Sequence, residues 1–213
     1  MKVRDAQAGA RQDRRVTAPD RPRPSQAALL LVLGALTWIP ARYGVMTTWD
    51  GTWLGLDYVG WNRVMLVPLA LLAAGGVTAA RRAATRAAAV AWSVVATGFA
   101  LSWLGVAVEF VVGGGLRGGS RELAVGGWTI YLVGMVVTAV GALMLAAALA
   151  RRDGRTAAAA GVAAVAILAW PPLLAAGLDG VAVVDQMLVG LSWAVVALLD
   201  RSRSIRPVPT AAA

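Results

Sequence analysis

Six long apolar blocks, each bounded by charged or turn-forming residues, follow one another along the chain. They run over about 27–45, 61–80, 87–112, 125–150, 156–178 and 181–199. Each approaches the roughly 20 residues that an α-helix needs to cross the hydrocarbon of a bilayer, and none shows the alternation over roughly ten residues expected of a membrane barrel strand. A single block of this kind also suits a buried helix of a soluble core. Six in series, with only short charged punctuation between them, leave too little polar surface for that. The pattern predicts an all-α fold, a polytopic membrane bundle of six transmembrane helices over 27–199. Residues 1–26 lack apolar periodicity and read as a disordered basic tail, and 200–213 as a short polar tail.

Proline marks where helices should deform. Pro40, Pro68 and the Pro171–Pro172 pair fall inside spans one, two and five, where each removes a backbone donor and predicts a kink. Glycine marks where helices should touch. Gly127, Gly134 and Gly141 recur every seven residues with Thr138 beside them, while Gly98 and Gly105 fall in span three and Gly190 in span six. In lipid, small residues on one face let backbones approach, so these seams predict close helix packing within the chain, or a face for a homo-oligomer or a membrane-protein partner.

A weak repeat overlies the blocks. Trp38, Trp103 and Trp170 recur at similar intervals, and Gly60–Trp61 and Gly127–Trp128 each open a span that ends in paired arginines. The repeat suggests three tandem helical hairpins in one orientation. Chance matches among helices biased toward Ala, Gly and Trp would give the same pattern.

Charge fixes the expected topology. Of the 20 basic residues, 16 fall in the two tails and in the turns at Arg81–Arg86 and Arg151–Arg155, all on one side of an even number of spans. Arg42, Arg63, Arg117 and Arg121 fall on the other. By the positive-inside rule both termini are expected in the cytoplasm, with the chain multi-pass in the plasma membrane. The same placement explains the net charge of +9 without nucleic acid, because arginines beside span ends meet anionic headgroups. Trp38-Ile39-Pro40 followed by Arg42 is a poor cleavage site, so the first span is expected to stay uncleaved. The bias toward Ala and Arg looks like the codon usage of a high-GC bacterial genome.

Composition removes several chemistries. With no Cys and no His, the chain offers no thiolate nucleophile, disulfide, imidazole shuttle or Cys/His metal site, and no cofactor is expected. The loop Gly113-Gly114-Gly115-Leu116-Arg117-Gly118-Gly119 lacks the Lys-Ser/Thr of a phosphate-binding loop and reads as a linker.

What remains is a cluster of polar residues toward the ends of the spans remote from the tails. At about 1.5 Å per residue, Asp185 stands about 22 Å along its helix, Arg63 about 26 Å and Glu109 about 33 Å. Arg42, Asn62 and Gln186 fall in the same zone, with Asp57 in the adjoining loop among Trp49, Trp53, Tyr58 and Trp61. Charges in hydrocarbon normally face the bundle and have partners, which predicts that Asp185 pairs with Arg63 or Arg42, with Glu109 a candidate for the other. These seven residues are the candidate binding cluster. They serve either as salt bridges between helices or as a polar pocket walled by Trp and open to the outside.

The expected role is a non-catalytic accessory, interaction or sensor protein with such a pocket. A small-solute carrier is the first alternative, opposed by the nearly unbroken Ala, Val, Leu and Gly of the inner half-spans. An intramembrane enzyme acting on a lipid or anionic substrate, with Asp185 or Glu109 as acid or base, is the second.

Overall fold

A computed structural model describes residues 25–116 and 119–203. The two tails, apart from Ser25, Gln26 and the helical residues 200–203, lie outside the described residues, as does Arg117. The described residues form helices joined by short loops, with no strand among them, as expected. Helix α1 spans Gln26–Thr47, α2 Tyr58–Val64, α3 Leu66–Arg82, α4 Arg86–Val106, α5 Arg121–Leu149, α6 Gly154–Ala175 and α7 Asp179–Arg203. A π-helical turn, Ala107–Val112, extends α4. Joined across these breaks, six helical stretches are long and apolar enough to cross a membrane.

Local chemistry sets the helix starts. Side chains of Ser25, Asp57, Thr85, Ser120 and Asp153 accept hydrogen bonds from backbone amides in the first turns of α1, α2, α4, α5 and α6. Span four therefore begins at Arg121, four residues before its apolar block. The prolines do not act alike. Pro40 and the Pro171–Pro172 pair remain inside α1 and α6, but span two is broken at Met65. Pro68 has no amide to offer the carbonyl of Val64 four residues back, so the helix must restart there. Span three contains the one feature with no signal in its apolar pattern: the amide of Gly113 reaches the carbonyl of Val108 at 2.8 Å, the wide turn of a π-helix.

The helices form a ring in chain order. α1 packs on α3, α3 on α4, α4 on α5, α5 on α6, α6 on α7, and α7 returns to α1. All five sequence-adjacent pairs of spans are thus neighbours, a pattern that does not single out three hairpins. The Trp triplet behind the repeat does not occupy equivalent sites, because Trp38 and Trp170 are buried while Trp103 is 39% exposed on the outer face. Spacing alone matched them.

An aromatic column fills the ring. Trp38 of α1 meets Phe99 of α4 edge to face at 6.4 Å, Phe99 meets Trp193 of α7 at 5.6 Å, and Trp193 lies 5.9 Å from Trp92. Trp38, Phe99 and Trp193 have no exposed surface. Trp38 also donates its indole N–H to the carbonyl of Gln186 at 3.0 Å, which ties α1 to α7. The bundle's outer surface presents Leu29, Leu36, Val133, Val140, Val165 and Val184. Such a surface is unfavourable in water and matches lipid, and the chain is a multi-pass membrane protein.

The glycine seams are used within the chain. A Cβ on Gly134 would lie 2.7 Å from the carbonyl oxygen of Gly98, and one on Gly127 2.7 Å from that of Gly105, so α4 and α5 meet backbone to backbone. Ser102 donates to the carbonyl of Tyr131 across the same seam at 3.3 Å. Replacing Gly134 by Leu should therefore force α4 and α5 apart and cost about 1–3 kcal/mol or more. Thermal unfolding in detergent checks this, with Gly161→Leu, where an added Cβ meets nothing within 4 Å, expected to melt like the parent.

Candidate functional site

At the end of the bundle remote from the tails, here the distal end, the ring opens into a cavity of about 500 Å³. Its floor is polar. Arg42, Asn62 and Glu109 line it, each no more than 5% exposed. Its walls are aromatic, from Trp49 and Tyr58 on one side, Phe110 beside them, and Trp128, Tyr131 and Trp170 opposite. Asp50 and Asp179, both exposed, stand among the lining residues.

Arg42 is held by three helices. Its Nε donates to Oε1 of Gln186 on α7 at 3.1 Å. Its guanidinium carbon lies 4.3 Å from the ring centroid of Trp170 on α6 and 5.8 Å from that of Tyr131 on α5. Stacking of this kind stabilises a desolvated cation by about 2 kcal/mol. One guanidinium nitrogen, Nη2, is buried and has no hydrogen-bond partner, and the same holds for the Tyr131 hydroxyl and the Trp170 indole nitrogen. Three buried donors of the cavity's own lining residues are thus unsatisfied.

Glu109 comes from the π turn. Its backbone amide lies against Gly127, where a Cβ would come within 2.6 Å, so the α5 backbone seats the wide turn directly. The Glu109 carbonyl accepts from the amide of Gly115, a residue with φ of 76° that only glycine adopts readily. Among the described residues no hydrogen bond or ion pair reaches the Glu109 carboxylate, and Arg42 and Glu109 form no salt bridge. The loop over 48–57 is fixed by its own aromatic contacts. Trp53 stacks on Trp61 at 4.8 Å, Trp61 donates to the carbonyl of Trp53 at 3.0 Å, and Trp49 packs edge-on against Tyr58 at 4.7 Å.

The structure separates the seven residues of the predicted cluster. Arg42, Asn62 and Glu109 meet in the cavity, and Gln186 stands behind Arg42 as its anchor. Arg63 is exposed and donates through Nε to the carbonyl of Phe110 at 3.0 Å, closing the frayed end of the π turn. Asp57 accepts from the amide of Gly60 at 2.7 Å as the cap of α2. Asp185 does not pair with Arg63. It accepts from Nε2 of the adjacent Gln186 at 3.3 Å and lines a shallow groove with Val162, Val165 and Leu188 on the outer face of α6 and α7. Depth along a helix does not say which way a side chain faces.

Tyr131, Trp128 and Asp179 escaped the sequence reading. Tyr131 lies on the glycine face of α5, midway between Gly127 and Gly134, and a polar aromatic on a close-packed seam is a signal for it. Asp179 is the first residue of α7 and carries no such signal. Among the described residues, no three carboxylates gather as a metal site. Comparison of the chain with protein-family models, with curated proteins and with solved structures finds no match.

The Arg42–Gln186 contact has a measurable consequence. Gln186→Leu should leave Arg42 Nε without a partner in a buried site and destabilise the fold by about 1.5–3 kcal/mol. In a thermal-unfolding double-mutant cycle with Arg42→Met, the pair should couple by about 1 kcal/mol or more. Additive losses would show that the contact carries no energy.

Proposed function

We propose that this chain is a non-catalytic membrane-embedded binding protein, with a sensor or accessory role, that takes a small polar solute into the distal cavity. The observation that carries this reading is the unsatisfied Arg42 Nη2, with the Tyr131 hydroxyl and the Trp170 indole nitrogen likewise unsatisfied among the residues that line the same cavity. Buried donors are costly without acceptors, and a carboxylate, phosphate or similar oxygen-bearing group is what would satisfy them together. The cavity volume of about 500 Å³ falls within the ordinary range for small-molecule sites. Support for binding over transport comes from the column Trp38–Phe99–Trp193, which packs large apolar rings across the middle of the ring of helices.

We further infer that the distal end faces the outside of the plasma membrane and the termini the cytoplasm. Arg81, Arg82, Arg86, Arg151, Arg152 and Arg155 then meet anionic headgroups at the cytoplasmic face. The chain lacks cysteine, so topology can be tested without altering the background. In intact cells a membrane-impermeant maleimide should label Thr52→Cys and not Ala84→Cys. The opposite labelling would refute the orientation.

Binding is tested by thermal shift of the purified protein in detergent against a panel of small carboxylates, phosphates and amino acids. At least one should raise the melting temperature of the parent protein, and Arg42→Met should abolish that shift while remaining folded. A panel without effect on either protein, or an undiminished shift in Arg42→Met, would sink the reading.

A further inference from the structure

The cavity holds a guanidinium with one unbonded nitrogen and a carboxylate with no bonded partner among the described residues, and this points to the class of ligand. Arg42 presents a buried, unpartnered Nη2. Glu109, 3% exposed, presents a carboxylate that no cation or donor meets among the described residues. A carboxylate inside a bundle is stabilised by such a partner, as a guanidinium is. The two line one cavity and form no ion pair with each other.

The rest of the lining separates the possible ligands. A simple anion would meet Arg42 but would also face the carboxylates of Glu109 and Asp179, which line the same cavity. A simple cation would meet Glu109 and the aromatic walls but leave Arg42 Nη2 as it is. The walls themselves favour a cation. Tyr58 packs edge-on against Phe110 at 5.6 Å and against Trp49 at 4.7 Å, so one side of the cavity is a cluster of rings beside Glu109. Ring faces attract ammonium groups, most of all where water is excluded. Trp170, across the cavity, is already engaged by Arg42.

We propose that the distal cavity binds a zwitterion, its carboxylate or phosphate on Arg42 and Tyr131 and its ammonium between Glu109 and the Trp49–Tyr58–Phe110 rings. This rests on the binding role proposed above and narrows it to one ligand class. Such a group occurs both in free solutes and in the headgroups of zwitterionic phospholipids, and the chemistry at the site is the same.

The test is calorimetric titration of the full-length protein in nanodiscs of phosphatidylglycerol. The probes are two zwitterions, glycine betaine and phosphocholine, and their fragments choline, acetate and inorganic phosphate. At least one zwitterion should bind tenfold or more tightly than either of its fragments. Glu109→Gln should weaken that zwitterion at least tenfold and leave the anionic fragment unchanged, and Arg42→Met should abolish both. Circular dichroism melts would confirm that each variant is folded, and Glu109→Asp should recover part of the affinity if Glu109→Gln proves unstable. If the anionic fragment binds as tightly as the zwitterion and Glu109→Gln has no effect, the cavity is an anion site. The zwitterion proposal then fails while the binding reading stands. If choline binds as tightly and Arg42→Met has no effect, the proposal fails as well. No binding by any probe overturns it outright. Repeating the titration in phosphatidylcholine nanodiscs distinguishes the sources, since a headgroup occupant would compete and lower the apparent affinity, and a free solute would not.

Discussion

The Arg42 guanidinium sits where α1, α5, α6 and α7 converge, with Gln186 on one nitrogen and the Trp170 ring beneath its plane. A charge at such a place costs about 2.5–3.5 kcal/mol on membrane-insertion scales, so its surroundings must offset that cost or the helix would not remain there. Much of the distal architecture follows from this. Gln186 has no exposed surface because it faces Arg42, and its amide nitrogen is then turned to Asp185. The Gln186 backbone takes the Trp38 indole, so the group that anchors the guanidinium also joins the aromatic column to α7. What the protein does not offset is Nη2, and that remainder makes the cavity a candidate site rather than a cluster of interhelical contacts.

Close approach of α4 and α5 is the second constraint. Gly98, Gly105, Gly127 and Gly134 bring the two backbones together, and Gly127 presses on the π turn that carries Glu109. The position of the carboxylate is therefore set by packing along the whole seam and not by a partner of its own. Arg63 completes the arrangement from α2 by taking the carbonyl of Phe110, left without a helical donor where the π turn ends. Below the polar floor, Trp38, Phe99 and Trp193 fill the ring.

The fold was legible because the bilayer imposes a length on apolar runs and because charge collects between them. Helix ends moved by a few residues, since caps such as Ser120 and Asp153 lie outside the apolar blocks. The break at Met65 could be anticipated from Pro68 only as a kink. The π turn could not be, because apart from Glu109 the segment Ala107–Val112 is as apolar as the helix before it. At the site, Arg42, Asn62, Glu109 and Gln186 were found from depth alone. Asp185 and Arg63 share that depth but face the outer groove and the surface, a difference of helix rotation that a chain of Ala, Val and Leu does not record. Tyr131 and Asp179 were missed because their importance lies in which helices adjoin them.

The distal cavity should stop at its polar floor, with the aromatic column closing the ring beneath it. Single cysteines at Met46, which lines the cavity, and at Ala35 and Leu31, which have no exposed surface within the ring, test it directly in the cysteine-free chain. A small water-soluble thiosulfonate should modify Met46→Cys from the distal side and leave Ala35→Cys and Leu31→Cys unmodified from either side. Modification of Ala35→Cys or Leu31→Cys would reveal a continuous water path through the ring and contradict the account.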